Sequence, residues 1–177
     1  MSATNPPPQL PPDVARFLKG APPESRQFDF LVGEWDCDCV RFNPDGSPMM
    51  QYRGRWNAKS LNDGRMIVDD FQTLLPNGLA ASSFVTLRTY CEITARWEIV
   101  GLAALQPSMI SEWHGQSKDG GLRLDIKGRD PSGAAARGRI HFFNIEADSF
   151  EWANDLSLDD GETWIKAASL MARRAGG

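Results

Sequence analysis

The stretch Phe28-Asp-Phe-Leu-Val-Gly-Glu-Trp35 decides the fold. It reads as a hydrophobic turn of helix that runs through Gly33 into a strand, the opening of a ligand-sized β-barrel. Glycine lets the backbone turn sharply at 33, where a side chain would clash. Trp35 is large enough to plug one end of a barrel, and its indole N–H needs a polar partner at the rim.

Upstream, the first 27 residues hold seven of the twelve prolines, so this segment lacks backbone donors and cannot join a sheet interior. We read residues 1–27 as a Pro-rich arm and residues 28–174 as the barrel. Within the arm, Pro12-Asp-Val-Ala-Arg-Phe-Leu-Lys-Gly20 has an acidic first turn, an apolar Val14/Phe17/Leu18 stripe and a glycine stop, which predicts one short helix. Downstream, short runs rich in β-branched and aromatic residues alternate with turn chemistry at Asn43-Pro-Asp-Gly46, Asn62-Asp-Gly64, Pro76-Asn-Gly78, Asp119-Gly-Gly121, Asp130-Pro-Ser-Gly133 and Asp159-Asp-Gly161. Weaker breaks fall at Glu92 to Ala95, Gln106-Pro107 and Glu146-Ala-Asp148. The result is about ten strands in succession with no room for a crossover helix, an all-β, antiparallel up-and-down pattern. Left open, such a meander exposes two unpaired edges; closed, it loses both and encloses space for a small molecule. The six tryptophans fall on six different expected strands, which suits one shared core. A two-sheet sandwich would need long crossing connections that these short turns do not offer.

A chain of 177 residues is the size of one domain and buries enough surface to stand without staples. Its 19 basic and 23 acidic residues are dispersed, which leaves no electrostatic footprint for nucleic acid or anionic lipid. Cys37 and Cys39 lie two apart on one expected strand, about 6.5–7 Å from each other, too far to bridge easily. With Cys91 the count is odd, and neither a secretory leader nor a long apolar run is evident, so the expected setting is the reducing cytoplasm.

Three stretches together carry a resemblance: Phe30-Leu-Val-Gly-Glu-Trp35; Leu87-Arg-Thr-Tyr90 followed after a turn by Trp97; and Asp148-Ser-Phe-Glu-Trp152 running into Ser157-Leu-Asp-Asp-Gly-Glu-Thr-Trp164. Across about residues 28–174 the chain resembles a bacterial family of uncharacterised function with a lipocalin-like, or calycin-like, barrel. The resemblance implies a fold more than an activity, since calycins are pocket proteins for apolar ligands with some members turned to catalysis. One relative in that wider group holds haem through a histidine of the inner wall. This chain departs from it, because no histidine follows His141 and Asp36-Cys-Asp-Cys-Val replaces the glycine-rich run after the tryptophan. Haem is therefore not expected. Nor is a nucleotide or metal: no phosphate loop or dinucleotide fingerprint is present, and the two histidines lack ligands at short spacing.

Strand alternation sorts the candidate site residues. Arg88 and Tyr90 share a face with Phe84 and Thr86 and are expected to point inward, a cation and a phenolic donor able to anchor an oxygen-bearing ligand. Tyr52 and Trp56 are in phase on another wall, where Gly54 would leave space for a ligand, and Asn154 is in phase with Trp152 and Phe150. Between 108 and 117, Met109, Ser111 and Trp113 form the apolar, inward set. The opposite register, or a bulge near Pro107, would instead turn Glu112 and His114 inward as an acid/base pair. Arg139, with Arg137 and His141, lies opposite in parity to Ile140 and Phe142; this places it outward, or on a partly polar lumen wall where it could grip a carboxylate.

Three functions follow from this reading. The first is binding of a small, mainly apolar, oxygen-bearing molecule in the lumen. The second is a cofactor-independent cavity enzyme, an isomerase, cyclase, dehydratase or lyase, with Glu112 and His114 moving a proton while Arg88 and Tyr90 stabilise negative charge. The third is a scaffold in which the Pro-rich arm packs on a second copy to make a homodimer.

Overall fold

The computed structural model describes residues 10–118, 121–129 and 135–176. A short helix, α1 (Pro12–Leu18), precedes a 3₁₀ helix (Pro23–Leu31). Ten strands follow: β1 (Gly33–Phe42), β2 (Pro48–Leu61), β3 (Met66–Leu74), β4 (Ala80–Cys91), β5 (Arg96–Ala103), β6 (Gln106–Lys118), β7 (Gly121–Arg129), β8 (Ala135–Phe143), β9 (Ser149–Ser157) and β10 (Ile165–Arg174). Each pairs antiparallel with its neighbours in sequence, and β1 pairs with β10, so the sheet closes on itself. Closure leaves no sheet edge, and the sandwich alternative is excluded.

Turn residues do what their chemistry allows. Asn62, Asp63 and Gly64 all take left-handed backbone between β2 and β3. Asp45 accepts hydrogen bonds from the backbone N–H (2.9 Å) and hydroxyl (2.6 Å) of Ser47, closing the β1–β2 turn. One break falls two residues earlier than expected: the β5–β6 turn is Ala104-Leu105, and Gln106 already pairs with Ala103. Leu102 then pairs with Ile110, so a bulge takes up the residues around Pro107, where a missing N–H costs no ladder bond. Residues 119–120 and 130–134, including the expected turns at Asp119 and Asp130, lie outside the described residues. Trp164 also differs from expectation, preceding β10 rather than lying on a strand. It stacks under the Arg139 guanidinium at 3.6 Å on the outer wall.

One end of the barrel is plugged. The 3₁₀ helix buries Phe28 and Leu31 completely, together with Trp35, Trp97 and Phe150. Phe28 meets Trp97 and Phe142 edge to face at 4.8 and 5.3 Å, and Trp35 meets Phe150 at 4.8 Å. At the chain's far end, Arg174 lays its guanidinium on Trp35 (3.9 Å) and donates to the carbonyls of Val32 (2.5 Å) and Phe30 (3.1 Å). Gly33 makes this clamp fit: its φ is +126°, and a Cβ there would stand 2.2 Å from Arg174 Nη1. Outside the plug, α1 rests on Arg65, whose guanidinium covers Phe17 (4.1 Å) and donates to the Phe17 carbonyl (2.6 Å).

Candidate functional site

Above the plug the barrel is hollow. The lumen has a volume of about 350 Å³ and is walled by Trp56, Phe71, Phe84, Ile99, Trp113, Leu124, Ile140, Phe142, Trp152 and Leu170, with Arg41 and Tyr52 toward the open end of β1 and β2. Such a size and lining are those of a small-molecule pocket. Phe84 and Trp113 meet at 5.3 Å over Gly101, where a Cβ would fall 2.4 Å from the Trp113 ring. Gly54 leaves no void for a ligand, contrary to expectation: the Phe71 ring fills its place, 2.6 Å from where a Cβ would stand.

A polar network crosses this apolar wall. Asp69 of β3 is 2% exposed and accepts from Trp56 Nε1 (2.8 Å), Thr86 Oγ1 and Arg88 Nη2, while the same Arg88 nitrogen donates to Thr86 Oγ1 (2.7 Å). Asp69 and Arg88 form a buried ion pair, and the Phe28 ring of the plug lies 4.5 Å from the guanidinium. The opening motif thus supports Arg88 from below. Four buried polar atoms of the lumen residues have no partner among the described residues: Arg88 Nε and Nη1, Trp113 Nε1 and Asn154 Oδ1. Because an orphaned buried donor or acceptor is costly, each calls for a ligand or solvent atom.

Cys37 and Cys39 also face inward, both free and buried. Burial, aided by the Asp38 carboxylate, pushes the Cys39 thiol up to about 12, and burial with neighbouring Cys39 pushes Cys37 higher still. Both remain protonated and unreactive at neutral pH. Burial and then Cys39 raise the Tyr52 hydroxyl, keeping it a donor.

The lumen brings together Arg88, Tyr52, Trp56, Trp113 and Asn154. Tyr90 lies apart, packed on Trp97 (5.8 Å) at the plugged end beside α1. With Trp113 turned inward, Glu112 is exposed and His114 lies on the outer wall, where its Nδ1 meets Glu98 Oε2 at 2.5 Å. The two do not form an acid/base pair in the lumen, because the bulge around Pro107 leaves the inward phase of Trp113 unchanged. Partial burial would raise the Glu98 carboxyl, but hydrogen bonds from Arg96, Thr94 and His114 outweigh it and hold it below the ordinary glutamate range. The adjoining groove of about 720 Å³, lined by Arg96, His114, Arg123 and Asp125, is open to solvent. Arg139 is on the outer wall as well, between Trp164 and Asp125. His141 faces Asp155 there at 3.5 Å, so neither histidine reaches the lumen. Among the described residues no three His, Cys, Asp or Glu side chains converge as metal ligands, and no helix is long and apolar enough to cross a membrane.

Asp69 escapes sequence reading. Asp69 sits in Ile67-Val-Asp-Asp-Phe71, where parity with Ile67 and Phe71 makes it inward and Asp70 outward, yet Val68 argues the reverse equally well. The available signal is Arg88 itself, since an inward arginine needs a carboxylate on an adjacent strand.

A closed ten-strand up-and-down barrel, plugged by a short helix and hollow above it, is a calycin-like fold. Rv2717c from M. tuberculosis has the same fold, with a TM-score of 0.58 over 87% of this chain and 98% of its own at 15% identity. The S-type phycobiliprotein lyase CPES from Guillardia theta is similar as well, with a TM-score of 0.56 over 85% of this chain and 91% of its own at 14% identity. At such identities the likeness shows the fold alone. No family model and no curated protein matches the sequence.

Proposed function

We propose that the protein binds a small, mainly apolar, oxygen-bearing molecule in the barrel lumen, with Arg88, Trp113 and Asn154 taking its polar atoms and Tyr52 and Trp56 forming part of the wall. The observation that carries this reading is the set of unpartnered polar atoms on the wall of an otherwise apolar hollow of about 350 Å³. A cavity kept only for packing would be filled, or lined without orphans. The enzymatic alternative has less support, because the lumen's carboxylate, Asp69, is already engaged by three donors and Glu112 and His114 lie outside. Tyr90 and Arg139 are then structural, at the plug and the outer wall. Self-association through residues 1–27 is a separate proposal, tested by deleting residues 1–20 and measuring the mass in solution; an unchanged oligomeric state rejects it.

Native mass spectrometry of protein taken directly from cells is expected to show an added small-molecule mass, and 2-acetylnaphthalene is expected to quench lumen tryptophan emission saturably. Ala168→Trp, which fills the lumen from β10, should abolish both without lowering the melting temperature by more than a few degrees. No added mass, together with no saturable quenching of the unaltered protein, rejects the reading.

A further inference from the structure

We infer that the deep end of the lumen selects a neutral carbonyl group, as in a ketone, lactone, quinone or amide, and rejects a free carboxylate; this rests on the lumen-binding reading above. An inward arginine ordinarily suggests an anion partner. Here the anion is built in. Arg88 and Asp69 are each 2% exposed and paired, so the site carries no net charge before a ligand arrives. A carboxylate placed on Arg88 Nε or Nη1 would make one guanidinium serve two buried anions and leave an uncompensated negative charge among Phe84, Ile99, Trp113 and Phe142, which an apolar enclosure does not tolerate.

The hydrogen-bond inventory points the same way. Among the described lumen residues, the unpartnered buried nitrogens Arg88 Nε, Arg88 Nη1 and Trp113 Nε1 are donors, whereas Asn154 Oδ1 is an unpartnered acceptor. The ligand's complement is therefore chiefly acceptor oxygens without charge, and an amide would serve Asn154 too. The remaining ionisable groups along the lumen leave this balance unchanged. Cys37, Cys39 and Tyr52 are held protonated by burial, and Arg41 is exposed at the mouth, where water screens it. An acidic end, where a ligand has one, belongs at Arg41 rather than at Arg88.

The test compares near-isosteric probes, 2-acetylnaphthalene, naphthalene-2-carboxamide and 2-naphthoate, by calorimetry with the full chain carrying Arg41→Gln, so that the mouth cannot capture an anion. The ketone and the amide are expected to bind at least tenfold more tightly than naphthoate at neutral pH. Naphthoate affinity should rise about tenfold for each pH unit of acidification while ketone affinity stays flat, because only the uncharged acid is admitted. Asp69→Asn, which removes the resident anion, should shift the ratio toward naphthoate by tenfold or more; if that variant does not fold, the pH series on Arg41→Gln protein still decides. Naphthoate binding as tightly as the ketone, with no pH dependence, overturns the selectivity while leaving lumen binding intact. Failure of all three probes on the unaltered protein, together with no added mass in native mass spectrometry, overturns both.

Discussion

The two halves of this barrel are built from the same residue types and end in opposite states. In the plugged half the two fully buried tryptophans spend their polar handles inside the protein: Trp35 Nε1 donates to the Leu31 carbonyl at 2.7 Å and Trp97 Nε1 to Gln27 Oε1 at 2.9 Å. In the hollow half Trp113 Nε1, two nitrogens of Arg88 and Asn154 Oδ1 stay unpartnered. Trp56 and Arg88 stand at the boundary, bound to Asp69 on one side and bordering the cavity on the other. Within the barrel interior, satisfied polar groups mark the half that holds the fold together, and unsatisfied ones mark the half in which we propose that a ligand binds. The division is physical: the 3₁₀ helix brings enough aromatic volume to fill one end, and no segment among the described residues does so at the other.

Substitutions can break or sharpen that contrast. Trp35→Ala should have the largest effect, a loss of about 3–5 kcal/mol in chemical denaturation, because it empties the centre of the plug and deprives the Leu31 carbonyl and Arg174 of their partner. Asp69→Leu should cost nearly as much, about 3–5 kcal/mol, by stranding the buried Arg88 charge. The double variant Asp69→Leu/Arg88→Met should recover most of that stability yet lose probe binding, which separates the pair's role in folding from its role in the lumen. Trp97→Phe should cost about 1–3 kcal/mol, since it removes a made hydrogen bond as well as volume. Trp113→Phe should cost less than Trp97→Phe while weakening 2-acetylnaphthalene more; the reverse order would erase the distinction between the halves.

The smallest effect belongs to the exposed β9–β10 loop at the mouth. Hydrogen bonds from the Thr163 hydroxyl, the Thr163 backbone N–H and the Ser157 hydroxyl hold the Asp159 carboxyl down at about 2, below its ordinary 3.8. A folded-state pKa depressed in this way adds stability that is present above the ordinary value and is lost as pH falls toward about 2. Melting temperatures of Asp159→Asn and the parent protein, followed from pH 5 to pH 2, should converge toward the acid end of that range. A constant gap throughout would show that the carboxylate does not hold the loop.

Much of this arrangement is legible in the residues. The turn signals at Asn43, Asn62, Pro76 and Asp159 divide the chain where the strands end, because asparagine, aspartate and glycine tolerate the backbone that tight turns need. Phe28 to Trp35 reads as a plug because its apolar content and Gly33 permit little else. Phase also orients Trp56, Arg88, Trp113 and Asn154 correctly. It fails to orient single polar residues without an apolar partner of fixed direction, as with the adjacent Asp69 and Asp70. The first is buried in the lumen network, and the second accepts from Ser83 (2.5 Å) and Gln72 (2.7 Å) on the outer side.

What the amino-acid order determined by itself was local: where strands stop, which faces alternate, and that ten such strands in a row must close. What only the tertiary structure decided was which groups from distant strands share a space. Tyr90, in phase with Arg88, ends on the plug and not in the cavity, and the pairing of β3 with β2 and β4 brings Asp69 level with Trp56, Thr86 and Arg88. Alternation has a period of two and says nothing of height along the barrel axis. Height follows from strand register, which is set by pairing between segments far apart in sequence.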